Sequence, residues 1–272
     1  MSGFIGFSQK RNGVVNQFTS QGIDDNADAT AITIASDESV TLSGDLVPST
    51  ALSHRNMIIN GAMQVAQRGT SQATVSNGYS TADRWKTFQS TIGAFTQSIE
   101  SDAPDGFAKS LKMNCTTAEA SLGSADRLWV DHLLEGQNIQ SFQYGTSSAK
   151  DITFSFWAKS NVTGTYIIML YAGSGRSVSQ SYTISSSATW EYKTVTFSGD
   201  TTGTFTVNTT GELDIRFFLA AGSNYTSGTL STTWGSTVNA NTAVGQTNLA
   251  SATSQYWQIT GVQLELGSNA TP

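Results

Sequence analysis

The sequence predicts an all-β fold, a jelly-roll-like antiparallel β-sandwich preceded by a short β-containing N-terminal attachment segment. Three observations predict it. Thr, Val, Ile, Phe, Tyr and Trp recur in short runs separated by Gly, Asn and Ser, the composition of strands and turns. Three runs alternate apolar and polar residues with the period of a half-buried strand. No segment carries a sustained helical period.

Taken in order, residues 1–20 show no clear period. Two short alternating runs follow, Ala31-Ile-Thr-Ile and Ser39-Val-Thr-Leu. Ile32 and Ile34 share one face of the first, and Val40 and Leu42 one face of the second. Each run is too short to build a core alone, so the segment needs a partner, either the downstream domain or other copies of itself. Residues 48–54 read as a linker. The expected division is therefore an attachment and oligomerisation segment, 1–55, and a β-sandwich domain, 56–272.

Within the second unit, strands are expected at 84–88, 93–99, 110–115, 128–134, 151–159, 165–172, 179–184, 190–198, 204–207, 212–220 and 256–266. In 151–157, Ile152, Phe154 and Phe156 alternate with Thr153 and Ser155. In 212–220, Leu213, Ile215, Phe217 and Leu219 alternate with Asp214 and Arg216. In the last run Val262, Leu264 and Leu266 alternate with Gln263 and Glu265, while Trp257 and Ile259 fall on the opposite parity. Gly261 stands at the switch, which predicts a bulge or bend there. Asn60-Gly61 predicts a tight turn or a bulge at the start of the domain. Residues 222–255 are polar and too long for a hairpin turn.

Composition narrows the function. The net charge is -6 and there is no Lys/Arg cluster, so nucleic acid is not an expected partner. No apolar run reaches the length of a membrane span. The N-terminus lacks the charge, apolar stretch and cleavage site of a signal peptide. Cys115 is the one cysteine, which excludes an intrachain disulfide, and it reads as a small buried apolar residue. Asp24, Asn26 and Asp28 have the first spacings of a calcium loop, but Ala29 and Ala35 stand where Gly and a bidentate Glu are needed. No metal and no cofactor are expected.

Catalytic motifs are missing from the sequence: it holds no Gly-x-Ser-x-Gly, no His-Glu-x-x-His, no phosphate loop and no dinucleotide fingerprint. Carboxylate pairs such as Asp126 with Asp131 occur in no distinctive frame. Two candidate ligand sites stand out. Trp234 and Tyr225 lie in the polar stretch with little apolar company and could offer rings to the C–H face of a sugar. The cluster Asp83-Arg84-Trp85 is the second candidate: Trp85 could stack on a sugar, or fill the core while Asp83 and Arg84 fix a loop.

Four landmarks carry a family resemblance. Asn56-Met-Ile-Ile-Asn-Gly-Ala-Met-Gln-Val-Ala-Gln-Arg-Gly-Thr resembles the opening of a domain common in phage tail and fibre proteins. Tyr79-Ser-Thr-Ala-Asp-Arg-Trp is similar to a second segment of that family. Ile152-Thr-Phe-Ser-Phe-Trp-Ala-Lys is similar to a third, and Val262-Gln-Leu-Glu-Leu-Gly-Ser-Asn-Ala-Thr-Pro to its terminus. The landmarks span about 56–272. The domain also resembles carbohydrate-binding jelly rolls, and residues 23–45 resemble the strand pairs of phage fibre shafts, which are usually trimeric. The resemblance implies a non-enzymatic virion protein, a tail fibre or appendage. It implies self-association, expected as a homotrimer, contact with other virion proteins through the N-terminal segment, and host-surface polysaccharide as a possible ligand. A structural adaptor without a ligand and a polysaccharide depolymerase stay open as alternatives.

Overall fold

A computed structural model describes residues 55–271 and, before them, the strands β1 (Ile32–Ile34) and β2 (Val40–Leu42). The calcium-like residues Asp24, Asn26 and Asp28 lie outside the described residues. The chain divides into two compact units, Met1–Leu46 and Val47–Pro272. In the first, β1 and β2 pair antiparallel with Ile32 opposite Leu42 and Ile34 opposite Val40.

The second unit is a sandwich of two antiparallel sheets. It is built from β3 (Ser71–Gln72), β4 (Gly78–Tyr79), β5 (Trp85–Ser90), β6 (Ala94–Glu100), β7 (Ser110–Thr117), β8 (Arg127–Glu135), β9 (Ile152–Ser160) and β10 (Gly164–Ala172). It continues with β11 (Arg176–Ile184), β12 (Glu191–Phe197), β13 (Gly211–Ala221), β14 (Gly235–Ser236) and β15 (Tyr256–Leu266). One sheet has seven strands in the order β14-β11-β10-β13-β8-β5-β4. The other has six, in the order β12-β9-β15-β7-β6-β3. The chain crosses repeatedly between the sheets, as in a jelly roll. A single helical turn, α1 (Ser223–Thr226), opens the long segment before β15.

The core lies between the sheets and follows the alternation of the sequence. Phe156 of β9 meets Phe217 of β13 edge-on at 5.5 Å and Tyr182 of β11 at 5.1 Å. Trp257 is fully buried, and its indole N–H donates to the Tyr182 hydroxyl at 2.9 Å. Trp157 faces the other way and packs on Tyr192 at 5.4 Å.

Gly261 makes the expected bulge. Its φ is +61°, and the β15–β9 register slips between Thr260 and Gln263. The Phe107 ring fills the place of a side chain there, 2.6 Å from where a Cβ would sit. The slip lets Trp257 and Ile259 share the core with Val262 and Leu264 despite opposite parity.

The domain's opening residues dock on this bulge. Asn56 donates its side-chain N–H to the Val262 carbonyl at 3.1 Å and accepts from the Leu264 and Ile58 amides. The Val262 amide donates to the Gly61 carbonyl. Glu265, fully buried, accepts from the Thr271 amide and hydroxyl and pairs with Arg55. The start and end landmarks of the sequence are therefore one structural clasp.

Residues 204–207 form no strand, contrary to expectation. The Phe205 ring stacks on Tyr144 at 5.1 Å, Val207 is exposed, and the Asn208 carbonyl accepts from the Gln137 amide in a helical turn. A short run of β-formers was overridden here by one aromatic contact.

Candidate functional site

The outward face of the seven-stranded sheet is not an ordinary solvent face. Register brings its side chains into three rows. Phe88, Trp129 and Phe218 sit opposite one another across β5, β8 and β13. Lys86, Asp131, Arg216 and Met169 form the next row across β5, β8, β13 and β10. Leu133, Asp214 and Tyr171 form the third. All of these but Leu133 line a cleft of about 470 Å³.

The walls come from loops. On one side Asn77 and Gly78 rise beside β5; on the other stand Tyr225 of α1 and Asn239 and Thr242 of the segment that follows. That segment is fastened to the sheet by backbone bonds. The Ser179 amide donates to the Ser231 carbonyl and the Leu249 amide to the Leu219 carbonyl, while the Ala243 amide ties the segment to itself at the Tyr225 carbonyl. The Ser179 hydroxyl donates to the Thr242 carbonyl, and Gln246 accepts from the Ile167 amide. Residues 222–255 are thus a bound surface excursion, and they place Tyr225 over the floor.

Aromatic and charged groups interleave in the cleft. Phe88 stacks on Trp129 at 4.2 Å and 11°. The Arg216 guanidinium lies 4.8 Å from the Trp129 ring and 4.5 Å from the Tyr171 ring. The Arg127 guanidinium lies 4.8 Å from Tyr225 and 5.0 Å from Phe88. Each of these contacts is within cation–π range. Lys86 pairs with Asp131 at 2.9 Å, and Arg216 with Asp214 at 2.8 Å.

The charges perturb one another. Burial, and then the Asp214 charge beside it, push the Asp131 carboxyl well above the ordinary carboxylate range, against the pull of Lys86. Burial pulls Lys86 downward, but the Asp131 charge and hydrogen bond outweigh it and raise the ammonium above its usual value. Burial, and then the Arg216 charge, lower Arg127. Asp131 and Asp214 lie within hydrogen-bonding reach of each other, so one proton can bridge the two carboxyls, while the Nε of Arg127 is buried without a hydrogen-bond partner among the described residues. Buried polar groups are ordinarily satisfied, so the orphan Arg127 donor marks a place in the cleft where a polar ligand can complete the hydrogen bonding.

Of the residues singled out from sequence, the cleft contains Tyr225 and Asp131. Trp234 lies elsewhere. Its indole N–H donates to the Ser198 carbonyl at 2.8 Å, and its ring meets Tyr144 edge-on at 5.6 Å, so it anchors the loop to the sandwich. The Asp83-Arg84-Trp85 cluster is scaffolding. Trp85 is fully buried between the sheets and donates to the Asn60 carbonyl, Asp83 pairs with Arg68, and Arg84 pairs with Glu135. Sequence reasoning passed over Lys86, Phe88, Arg127, Trp129, Tyr171, Asp214 and Arg216 as site residues. The available signal was Asp214 and Arg216 on the outward parity of the longest alternating strand. Among the described residues no group of three or more His, Cys, Asp or Glu side chains could hold a metal ion.

No protein-family model matches the chain, and no curated protein matches it. Among solved structures it is similar to the enzymatically active domain of tailspike protein 4 of bacteriophage CBA120. The TM-score there is 0.42 at 14% identity, over 78% of this chain and 21% of that one. This chain thus spans about a fifth of the tailspike chain's length. It is also similar to a family 4 carbohydrate-binding module, with TM-score 0.40 and 12% identity over 77% of this chain and 99% of that one. A third is the C-terminal family 22 carbohydrate-binding module of Clostridium thermocellum Xyn10B. Its TM-score is 0.38 at 12% identity, over 75% of this chain and 98% of that one. The likeness is one of strand arrangement, and no residue role passes from these proteins to this chain.

Proposed function

We propose that this chain is a non-enzymatic structural protein of a bacteriophage virion, a tail fibre or appendage component, whose sandwich domain binds a host-surface glycan in the cleft over the seven-stranded sheet. The virion assignment is supported by the four sequence landmarks and by the two short alternating runs that pair as β1 and β2, each too short to build a core alone. The glycan assignment is carried by one observation. Rings of Trp129, Tyr171, Phe88 and Tyr225 are set among paired charges on the side of the sheet that faces away from the core.

A packing role alone does not account for that arrangement. The loop segment covers Ile167 and Met169, while Tyr171, Phe88 and Tyr225 keep half-buried faces toward the open cleft. A pyranose chain fits such a surface. Its C–H faces stack on rings, and its hydroxyls take the donors and acceptors that the ion pairs hold in place.

An array of bacterial surface glycans tests the reading. The wild-type protein is expected to bind a subset. Tyr171→Ala and Tyr225→Ala should each weaken that binding about tenfold or more, and Trp234→Ala should leave it unchanged. Loss on Trp234→Ala with Tyr171→Ala unaffected would move the site elsewhere. No binding to any glycan would favour the adaptor role.

The depolymerase reading has one observation in its favour, the Asp131–Asp214 pair in a cleft, with one carboxyl held toward its protonated form. Each carboxylate is tied to a cation at the floor, which suits recognition better than attack on a glycosidic carbon. Release of reducing ends from a bound polysaccharide, abolished by Asp131→Asn, would establish hydrolysis instead.

A further inference from the structure

Arg127 is unlike the other charges of the cleft. Lys86 is matched by Asp131 and Arg216 by Asp214, but Arg127 has no carboxylate partner among the described residues. Three cations therefore face two acidic groups, so the cleft is net positive on a chain whose net charge is -6. A cation without a counter-ion on an acidic protein is not a surface accident when it is walled in by rings.

The geometry shows what Arg127 lacks. Its guanidinium lies over the rings of Phe88, Trp129 and Tyr225, at 5.0, 5.7 and 4.8 Å. Rings attract the charge of a guanidinium but do not replace an oxygen acceptor at its N–H donors. Its Nε donor is buried with no acceptor. The positive charge of Arg216 lies close enough to disfavour its own. An anionic oxygen placed in the guanidinium plane would relieve both defects at once. It would accept the orphan donor and screen the two arginines from each other. A neutral hydroxyl could do only the first.

We propose that the glycan taken by this cleft is acidic, and that Arg127 binds its anionic substituent, a carboxylate or a sulfate or phosphate ester, while Tyr171 and Tyr225 hold the neighbouring sugar rings. This rests on the cleft being the glycan site. The rings hold the arginine in the cleft as well as the sugar. The net charge of -6 works against a polyanion overall, whereas the cleft sets three cations against two acids.

The experiment uses the full chain on an array carrying matched neutral and acidic glycans. It then measures dissociation constants for oligogalacturonides against their methyl esters and for dextran sulfate against dextran, at low and moderate salt. The acidic member of at least one pair should bind about tenfold or more tighter than its neutral counterpart, with the gap narrowing as salt rises. The first pair reads a carboxylate and the second a sulfate ester. In Arg127→Gln the preference should fall to within about twofold, and Arg127→Lys should restore part of it. Thermal melts of both variants confirm folding.

Array hits confined to neutral glycans, or an acid preference unchanged in Arg127→Gln, overturn the proposal while leaving glycan binding intact. Equal weakening of acidic and neutral members by Arg127→Gln also overturns it and makes Arg127 part of the ring stack only. A protein that binds nothing on the array loses both the proposal and the function on which it rests.

Discussion

Gly61 is the residue on which the closure of the domain turns, and alanine there should be costly for a reason the sequence does not announce. In Asn60-Gly61 the expectation is that glycine supplies the turn. In the structure Asn60 takes the left-handed conformation, with φ +60°, and Gly61 does not. An alanine at 61 is therefore free of backbone strain, and the reduced freedom of the unfolded chain alone would make it stabilising by about 0.4–1 kcal/mol. Space decides the other way. A Cβ at this position would lie 2.1 Å from the Val262 carbonyl oxygen and 3.1 Å from its carbon, both backbone atoms at the β15 bulge. The opening segment must shift by about 1 Å, an overpacking cost of roughly 1–3 kcal/mol. The shift also loosens the Val262–Gly61 and Asn56–Val262 hydrogen bonds, worth about 1 kcal/mol each. The net destabilisation is about 2–4 kcal/mol. Urea unfolding followed by fluorescence of the buried Trp85 and Trp257 measures it. The midpoint should fall with an unchanged slope, and the melting temperature should drop by roughly 5–15 °C for a domain of this size. A neutral or stabilised Gly61→Ala protein would refute the close approach and with it the clasp.

Other expectations follow from single contacts. Trp257→Phe leaves the buried Tyr182 hydroxyl without its donor and opens a small cavity, so chemical denaturation should show a loss of roughly 2–4 kcal/mol. His132 is buried, donates to the Ile59 carbonyl, and is pushed by burial down to about 4. Between that value and the ordinary 6.5 the unfolded chain takes up a proton that the folded chain refuses. Stability should therefore fall as pH drops from about 6.5 to about 4, by about 3 kcal/mol from this group. Asp131 slopes the other way, since its raised carboxyl keeps a proton that the unfolded chain has lost. A pH series of melts on His132→Gln should lose the acid limb and keep the opposing one, and an unchanged acid limb would contradict the assignment. Light scattering of the full chain at micromolar concentration should give the mass of a trimer; a stable monomer would remove the support for a fibre-type assembly.

Much of the fold was legible because alternation and burial coincide in β9, β13 and β15. Ile152, Phe154 and Phe156, then Leu213, Ile215 and Phe217, announce one buried face each, and Gly261 announces the slip in β15. The jelly-roll-like sandwich follows from strands of that kind at short intervals. Residues 204–207 misled because β-propensity says nothing of Tyr144, on which the Phe205 ring stacks. The cleft was largely illegible for a different reason. Lys86, Asp131, Met169 and Arg216 are far apart in sequence, and only strand register makes them neighbours. Trp129 and Tyr171 sit inside apolar runs, which do not tell which side of the sheet a ring takes. Tyr225 stood out because its surroundings are polar, and Trp234 stood out for the same reason, yet one lines the cleft and the other anchors a loop. Local composition finds an aromatic in polar company; it does not say which way the ring points.

If the outward face of the seven-stranded sheet is the ligand-binding surface, a crystal structure of the chain soaked with the tightest oligosaccharide from the array will show the ligand there. Sugar rings are expected against Tyr171 and Tyr225, with polar groups bonded to Arg127 and to the Asp131–Asp214 pair. Sugar bound beside Trp234 or at the Asn56–Val262 clasp, with the cleft left to water, would contradict that assignment.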